Sequence, residues 1–169
     1  MPRPDEPLSL PYETRPLGQA LDFLRVLWAI NHGLATTSRY MKSKFGVTGR
    51  QRLIIQVVNE FPGISAGDLA KVLHLDPSTL TGVLQQMSQR GLLQLQPDSK
   101  DRRRLRIQLT TKGRRMSHMA VGAIEAAVSR TLSNVSPAKL RATREVLALL
   151  ADNLDRRSSE TESLEATSA

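Results

Sequence analysis

The stretch that decides the fold is residues 76–91, DPSTLTGVLQQMSQRG, because both of its ends carry strong helix signals. Asp76 is a favourable N-cap, Pro77 suits the first helical turn, and Gly91 permits a left-handed exit. A helix over these residues aligns one apolar stripe at i, i+3, i+4 and i+7, which consists of Leu80, Val83, Leu84 and Met87. The stretch is therefore predicted to be a short amphipathic helix that packs on a core through this stripe.

The opposite face of this helix is polar and carries no charge before Arg90. Its central positions are Ser78, Gly82, Gln85 and Gln89, and its flanks carry Thr79, Thr81 and Gln86. A solvated helix usually carries Lys and Glu, whereas hydroxyls and amides can hydrogen-bond base edges in a major groove. This stretch alone leaves two interpretations open, a DNA-reading helix and a polar surface without a partner.

Two more helices are predicted before this one. Thr48 and Gln51 form a capping-box pattern at the start of the first helix, and Ser65 with Asp68 marks the start of the second. A turn at residues 74–75 leads into the helix that Asp76 caps. The predicted apolar stripes are Leu53, Ile54, Val57, Val58 and Phe61 in the first helix and Leu69, Ala70, Val72 and Leu73 in the second. Two short helices joined by a tight turn, the second with an uncharged polar face, form a helix-turn-helix.

After Gly91 the apolar period changes from that of a helix to that of a strand. Alternation predicts two strands, with apolar residues at Leu93, Leu95, Leu105, Ile107 and Leu109. The tip between them reads DSKDRRR, and residues 98–115 hold eight Lys and Arg against two Asp, a net charge of +6. A hairpin with a basic tip directly after a helix-turn-helix is typical of a DNA-contacting wing. The alternative is a solvated hairpin whose charges prevent edge pairing.

Long helices are predicted on both sides of this region. The first, from about Pro16 to Phe45, carries apolar residues on more than one face, as packing against two surfaces requires. Another begins at Thr110 or Thr111 and ends near Asn134, and a last helix follows. Its leucines, three of them repeating every seven residues, are Leu140, Leu147, Leu150 and Leu154. One small domain cannot bury such a seam unaided, so a homodimer is predicted.

The predicted fold class is mainly α with a small β-hairpin wing, a winged helix-turn-helix with N- and C-terminal dimerisation helices. The predicted segments are a flexible arm (1–15), a dimerisation helix (16–46), the DNA-binding domain (47–112), dimerisation helices (113–157) and a disordered tail (158–169).

Composition narrows the function further. The net charge of +8 and the pI near 10.6 favour a polyanionic partner. The absence of cysteine excludes disulfides and thiolate zinc sites and fits a cytoplasmic protein. No membrane span is predicted, because charged and polar residues interrupt the most apolar early stretch. The three histidines lack metal-ligand spacing, and neither a phosphate loop nor a nucleophile elbow is present, so no enzyme, metal or cofactor is expected.

With these motifs in place, the chain resembles the MarR family of winged helix-turn-helix transcriptional regulators over roughly residues 16–157. The resemblance rests on LDPSTLTGVLQQMSQRGLL for the recognition helix, on DSKDRRRLRIQLTTKG for the wing, and on the flanking helices. It implies a homodimer on a pseudo-palindromic operator of double-stranded DNA, expected to act as a repressor. The recognition helix would enter the major groove, and a wing arginine would enter the flanking minor groove.

The resemblance also assigns roles to individual residues. Arg103 matches the wing arginine, Asp101 matches the acid that orients it, and Arg102 and Arg104 are neighbours that could share the contact. The residues in base-reading and phosphate-contacting positions are Ser78, Thr79, Thr81, Gln85 and Gln86.

One departure from the family pattern concerns sensing. The recognition helix is close to that of the peroxide-sensing branch, but Leu24 stands where that branch has its sensor cysteine. Peroxide sensing through that position is therefore excluded. Other members bind small phenolic or aromatic carboxylate ligands, which makes Trp28 and His32 candidate ligand contacts. Helix packing is the simpler explanation for both residues.

A different class of function stays open at this point. A winged helix can serve as a dimerisation or protein-binding module without specific DNA readout. The concentration of positive charge in residues 98–115 favours DNA binding over that alternative.

Overall fold

The computed structural model describes residues 18–98, 104–118 and 123–167. It forms two compact units, one ending at Ile124 and the other beginning at Glu125. The elements are α1 (Gln19–Phe45), α2 (Gly49–Glu60), β1 (Ile64–Ser65), α3 (Ala66–Leu73), α4 (Pro77–Gln89), β2 (Leu93–Pro97), β3 (Leu105–Leu109), α5 (Thr111–His118), α6 (Ala123–Leu132) and α7 (Pro137–Thr167). The predicted fold class, mainly α with a small β-hairpin wing, is confirmed.

Local capping chemistry fixes the ends of the helices as the sequence predicted. The Asp76 carboxylate accepts from the backbone N–H groups of Ser78 and Thr79 at 2.8 and 3.0 Å, and Gly91 leaves α4 with φ of +66°. Thr48 and Gln51 make the reciprocal capping box at the start of α2. Each cap satisfies backbone donors that the helix cannot satisfy by itself.

The core of the first unit lies beneath α4. Leu80, Leu84 and Met87 are buried, and Val83 is partly buried at the edge of the same cluster. The remaining buried apolar residues of this cluster are Val47, Ile54, Ile55, Val58, Leu69, Ala70, Leu92, Leu93, Ile107 and Leu109. The apolar face of α4 is thus sealed against α2, α3 and the sheet, which leaves its polar face to solvent.

Three residues of the apolar stripes predicted for α2 and α3 are exposed rather than buried. Leu53 is 52% exposed, Phe61 is 57% exposed and Val72 is 52% exposed. Helix α2 packs against α1, α5 and β3, so its buried face is rotated from Leu53 towards Ile55. Phe61 follows the last helical residue and has left the helical period, with φ of −124°.

The wing belongs to a three-stranded antiparallel sheet of order β1-β3-β2. The predicted hairpin is present, with Leu93 opposite Leu109 and Leu95 opposite Ile107. The sequence pattern does not predict β1, in which Ile64 pairs with Ile107, because a strand of two residues shows no alternation. This strand attaches the wing to the segment between α2 and α3.

The flanking helices differ from the predictions in their limits. Helix α1 starts at Gln19 and ends at Phe45, followed by Gly46 with φ of +73°, while the predicted start at Pro16 lies outside the described residues. The predicted helix from Thr110 to Asn134 appears as α5 and α6, and residues 119–122 between them are not described. The predicted arm of residues 1–15 is also outside the described part.

Helix α7 continues to Thr167, past residue 158, where the sequence analysis placed a disordered tail. Residues 158–167 contain no Gly or Pro, and their Glu, Leu and Ala residues favour helix. This segment therefore contains no residue that would end α7. No helix among the described residues is long and apolar enough to cross a membrane.

The contact between α5 and the loop before β2 generates a stability prediction. A Cβ on Gly113 would lie 2.2 Å from the backbone oxygen of Leu92, so Gly113→Ala must displace backbone. We expect a loss of about 1–3 kcal/mol in the free energy of unfolding, as for other overpacked sites.

The matched control is Gly82→Ala on the exposed face of α4, where nothing lies within 4 Å of the added Cβ. This substitution should stabilise the protein by about 0.5–1 kcal/mol, because alanine loses less backbone entropy in a helix. Denaturant unfolding of both variants measures the two effects. A Gly113→Ala variant as stable as wild type would contradict the packing described for α5.

Candidate nucleic-acid interface

The exposed face of α4 holds all five recognition-helix candidates. Ser78, Thr79, Thr81, Gln85 and Gln86 are each exposed, opposite the buried apolar stripe. An α-helix with one sealed and one open face can enter a major groove without exposing its core.

Two of these side chains already donate their hydroxyl hydrogens within the helix. Ser78 Oγ donates to the carboxylate of Asp76, and Thr81 Oγ1 donates to the carbonyl of Pro77 at 2.7 Å. The Ser78 hydroxyl and the backbone N–H of Thr79 lower the pKa of Asp76 from its usual value. Asp76 is therefore ionised at neutral pH, and both hydroxyls turn lone pairs rather than hydrogens towards solvent.

The two glutamines differ in their surroundings. Gln86 Oε1 accepts a hydrogen bond of 2.8 Å from Gln51 Nε2, although 35 residues separate the two in sequence. Within the described chain, neither Gln85 nor Thr79 makes a side-chain hydrogen bond, so their polar groups face solvent. Gln85 thus keeps both amide groups unengaged, whereas one of the two lone pairs of Gln86 Oε1 is already occupied by Gln51.

Arg90 connects this site to the ends of two other helices. One guanidinium nitrogen donates to Gln51 Oε1 at 3.2 Å, and the other donates to the carbonyl of Gly46, at the end of α1. Lys112 Nζ donates to the carbonyl of Arg90 at 2.9 Å. The capping-box pattern predicts the local role of Gln51 but not its hydrogen bonds with Gln86 and Arg90. Sequence spacing gives no signal for such a contact between helices.

The base of the wing is held by an ion pair that the sequence pattern does not predict. Asp98 is 6% exposed and accepts from Arg106 Nε at 2.6 Å, and Arg106 Nη1 donates to the carbonyl of Gly63 at 3.1 Å. The backbone N–H of Asp98 donates to the carbonyl of Arg104 at 2.8 Å. These contacts fix the position from which residues 99–103 depart.

Three wing candidates, Asp101, Arg102 and Arg103, lie outside the described residues, so their assigned roles stay predictions. Arg104 is described and exposed, directly before β3.

Trp28 and His32 both lie on α1 and both are exposed. Trp28 is 64% exposed, so packing within this chain does not bury it. A cavity of about 550 Å³ lies between the end of α2, β1, α3 and the wing base, and neither residue lines it. The structure therefore leaves both residues on an open surface of the single chain.

Comparison with known proteins places this site in a family context. The model of the MarR family matches residues 45–104, from the end of α1 to the wing. A putative transcriptional regulatory protein for the hcr operon of Thauera aromatica is 32% identical over 124 residues, which cover 73% of this chain and 72% of that protein.

Two further comparisons agree. The transcriptional activatory protein BadR of Rhodopseudomonas palustris is 28% identical over 138 residues, which cover 79% of this chain and 78% of BadR. The MepR chain in the crystal structure of an S. aureus MepR-DNA complex superposes on this chain with a TM-score of 0.66 at 19% sequence identity. The match covers 78% of this chain and 97% of the MepR chain. Together with the helix-turn-helix and wing described above, these matches establish that the chain belongs to the MarR family of winged helix-turn-helix transcriptional regulators.

Proposed function

We propose that this regulator binds a pseudo-palindromic operator as a homodimer, with α4 of each subunit in the major groove and each wing in the flanking minor groove. The observation that carries the proposal is the exposed face of α4, where hydroxyls and amides replace the charges of an ordinary solvated helix. Such side chains can discriminate base edges, while the basic wing supplies attraction to the phosphates.

The dimer follows from apolar surface that one chain does not cover. Of the described side chains in α1, only that of Met41 is buried, and Leu21, Trp28 and Ile30 are each more than half exposed. Helix α7 likewise exposes Leu147 and Leu154 of the predicted seam. Burying these surfaces against a second copy removes them from water and gives the two-fold symmetry of a pseudo-palindrome.

Two further parts of the proposal are the location of the protein and the sign of its effect on transcription. We propose that it acts in the cytoplasm as a repressor. Repression follows because a dimer bound over a promoter excludes other proteins from the same DNA. BadR is named an activator, so transcription from the protein's own promoter, measured with and without the protein, decides the sign.

Release by a small phenolic or aromatic carboxylate ligand is a second proposal. The exposed indole of Trp28 offers a stacking surface, and His32 lies one helical turn away on α1. Trp28 is the protein's one tryptophan, so its fluorescence reports directly on a ligand at this place. Titration with benzoate should change that fluorescence and weaken operator binding together. An unchanged emission spectrum at saturating benzoate, with unchanged operator affinity, would remove Trp28 and His32 from the proposal for that ligand.

Salt dependence separates DNA binding from the alternative of a protein-binding module. Binding to duplex DNA should weaken steeply with salt. The logarithm of the binding constant should fall against the logarithm of the salt concentration with a slope of about −0.9 per phosphate contacted. The wing variant Arg103→Ala should reduce that slope by about one unit per subunit and weaken operator binding, because the arginine in a narrow minor groove is lost.

Arg102→Ala and Arg104→Ala are the matched controls, since they remove the same charge from the same segment. Operator affinity and thermal stability measured for all three variants identify which arginine makes the contact. The assignment of Arg103 is wrong if its variant binds like wild type while one of the controls does not. A protein that shows no salt-dependent DNA binding at all would favour the module.

The dimer is tested on α7. Leu147→Glu should shift the protein from dimer to monomer in sedimentation, because a buried carboxylate in the seam lacks a partner. Ala148→Glu adds the same charge one position away, at an exposed residue off the seam, and should leave the dimer intact. Equal sedimentation of both variants as dimers would show that the α7 seam is not the interface.

A further inference from the structure

Gln86 stands apart from the other exposed residues of α4 because its side chain is held by a neighbouring helix. Its Oε1 accepts a hydrogen bond of 2.8 Å from Gln51 Nε2. Gln51 lies at the start of α2 and is only 3% exposed. A buried amide of this kind keeps its hydrogen bonds, because leaving one unmade costs more than an ordinary bond contributes.

The orientation of the Gln51 amide is fixed by its other two partners. Arg90 Nη1 lies 3.2 Å from Gln51 Oε1, and a guanidinium has five donors and no acceptor. The backbone N–H of Thr48 lies 3.2 Å from the same oxygen, within the capping box. Because Thr48 N–H and Arg90 Nη1 both donate to the same end of the Gln51 amide, that end must be the oxygen. The Nε2 group must then face Gln86, which can accept it only through Oε1.

Resting on the proposed function, we propose that Gln86 meets DNA through its Nε2 donor, with the orientation of its amide set by Gln51 and Arg90. Its Nε2 group is left facing solvent on the exposed side of α4. That group fits acceptors such as guanine O6 and N7, thymine O4 or a phosphate oxygen. The paired contact of an amide with adenine needs the carbonyl to face the base as well, and the hydrogen bond from Gln51 turns Gln86 Oε1 towards α2. Gln85 keeps both groups for such a contact.

The arrangement predicts that one substitution at the buried residue Gln51 turns the Gln86 amide over, so that Oε1 replaces Nε2 on the exposed side. In Gln51→Glu the carboxylate still accepts from Thr48 and Arg90, and Glu is itself a favoured capping-box residue. The carboxylate cannot donate to Gln86, so the Gln86 amide turns over, donates its Nε2 to Glu and presents Oε1 to the DNA. Gln51 and Arg90 are thus positioning residues for Gln86.

The experiment measures relative affinities for all four bases at every half-site position. Wild type should favour guanine or thymine at one symmetric pair of positions by about fivefold, the lower end of a single base contact. Gln51→Glu should shift that preference to a base with an amino group, adenine or cytosine, while thermal stability is kept. If the acceptor is a phosphate instead, Gln51→Glu should weaken all sequences by one factor with no change of base preference.

Gln86→Ala in both backgrounds is the control, because either effect of Gln51→Glu must vanish when Gln86 is absent. Gln85→Ala is the matched amide control, and in that variant the response to Gln51→Glu should persist. The inference is overturned if Gln51→Glu has the same effect with and without the Gln86 side chain. It is also overturned if wild type requires adenine at the position that depends on Gln86.

Hydrogen exchange of side-chain amides in the free protein keeps this inference separate from the proposed function. Gln51 should exchange slowly and Gln86 fast, with Gln85 as the fast reference. Gln51 exchanging as fast as Gln85 would contradict the fixed amide, whatever the protein does with DNA. A wild-type protein without any base preference would contradict the proposed function and the reading role of Gln86, even if Gln51 exchanged slowly.

Discussion

The junction around the buried side chain of Gln51 is the constraint on which the arrangement of the exposed face of α4 depends. An amide taken out of water must be hydrogen-bonded, and Gln51 satisfies its oxygen with Thr48 and Arg90 and its nitrogen with Gln86. Arg90 also donates to the last turn of α1 through the carbonyl of Gly46. One connected set of hydrogen bonds therefore fixes the end of α1, the start of α2 and the exposed face of α4 together.

Around that junction, two different forces hold the site. The apolar stripe of α4 anchors the helix to the core without setting the direction of any polar group, because hydrophobic burial is not directional. Hydrogen bonds then orient individual side chains on the open face: Ser78 towards Asp76, Thr81 towards Pro77 and Gln86 towards Gln51. Part of the hydrogen-bonding capacity of α4 is thus already assigned in the free protein, and such preorganisation reduces the ordering cost of binding a partner.

Features that depend on neighbours in sequence could be predicted, and those that depend on packing could not. The caps at Thr48, Ser65 and Asp76 and the exit at Gly91 involve residues two or three positions apart, so their patterns were sufficient. The exposed positions of Leu53, Phe61 and Val72 were mispredicted, because an apolar residue is buried only where another element covers it.

The candidate site shows the same division. The uncharged face of α4 could be predicted from helical periodicity, but the bond between Gln51 and Gln86 spans 35 residues and leaves no pattern. The pairing of Asp98 with Arg106 could not be predicted for another reason, because strand alternation indicates which residues share a face and not which side chains contact each other.

The central claim is that a two-fold dimer presents two copies of α4 and two wings to one operator. A hydroxyl-radical footprint over the protein's own promoter tests it most directly, because cleavage reports on each nucleotide of both strands. The account predicts two protected regions related by dyad symmetry, centred about one helical turn apart, with further minor-groove protection on their outer sides. A single asymmetric protected region, or uniform weak protection without a preferred sequence, would contradict it.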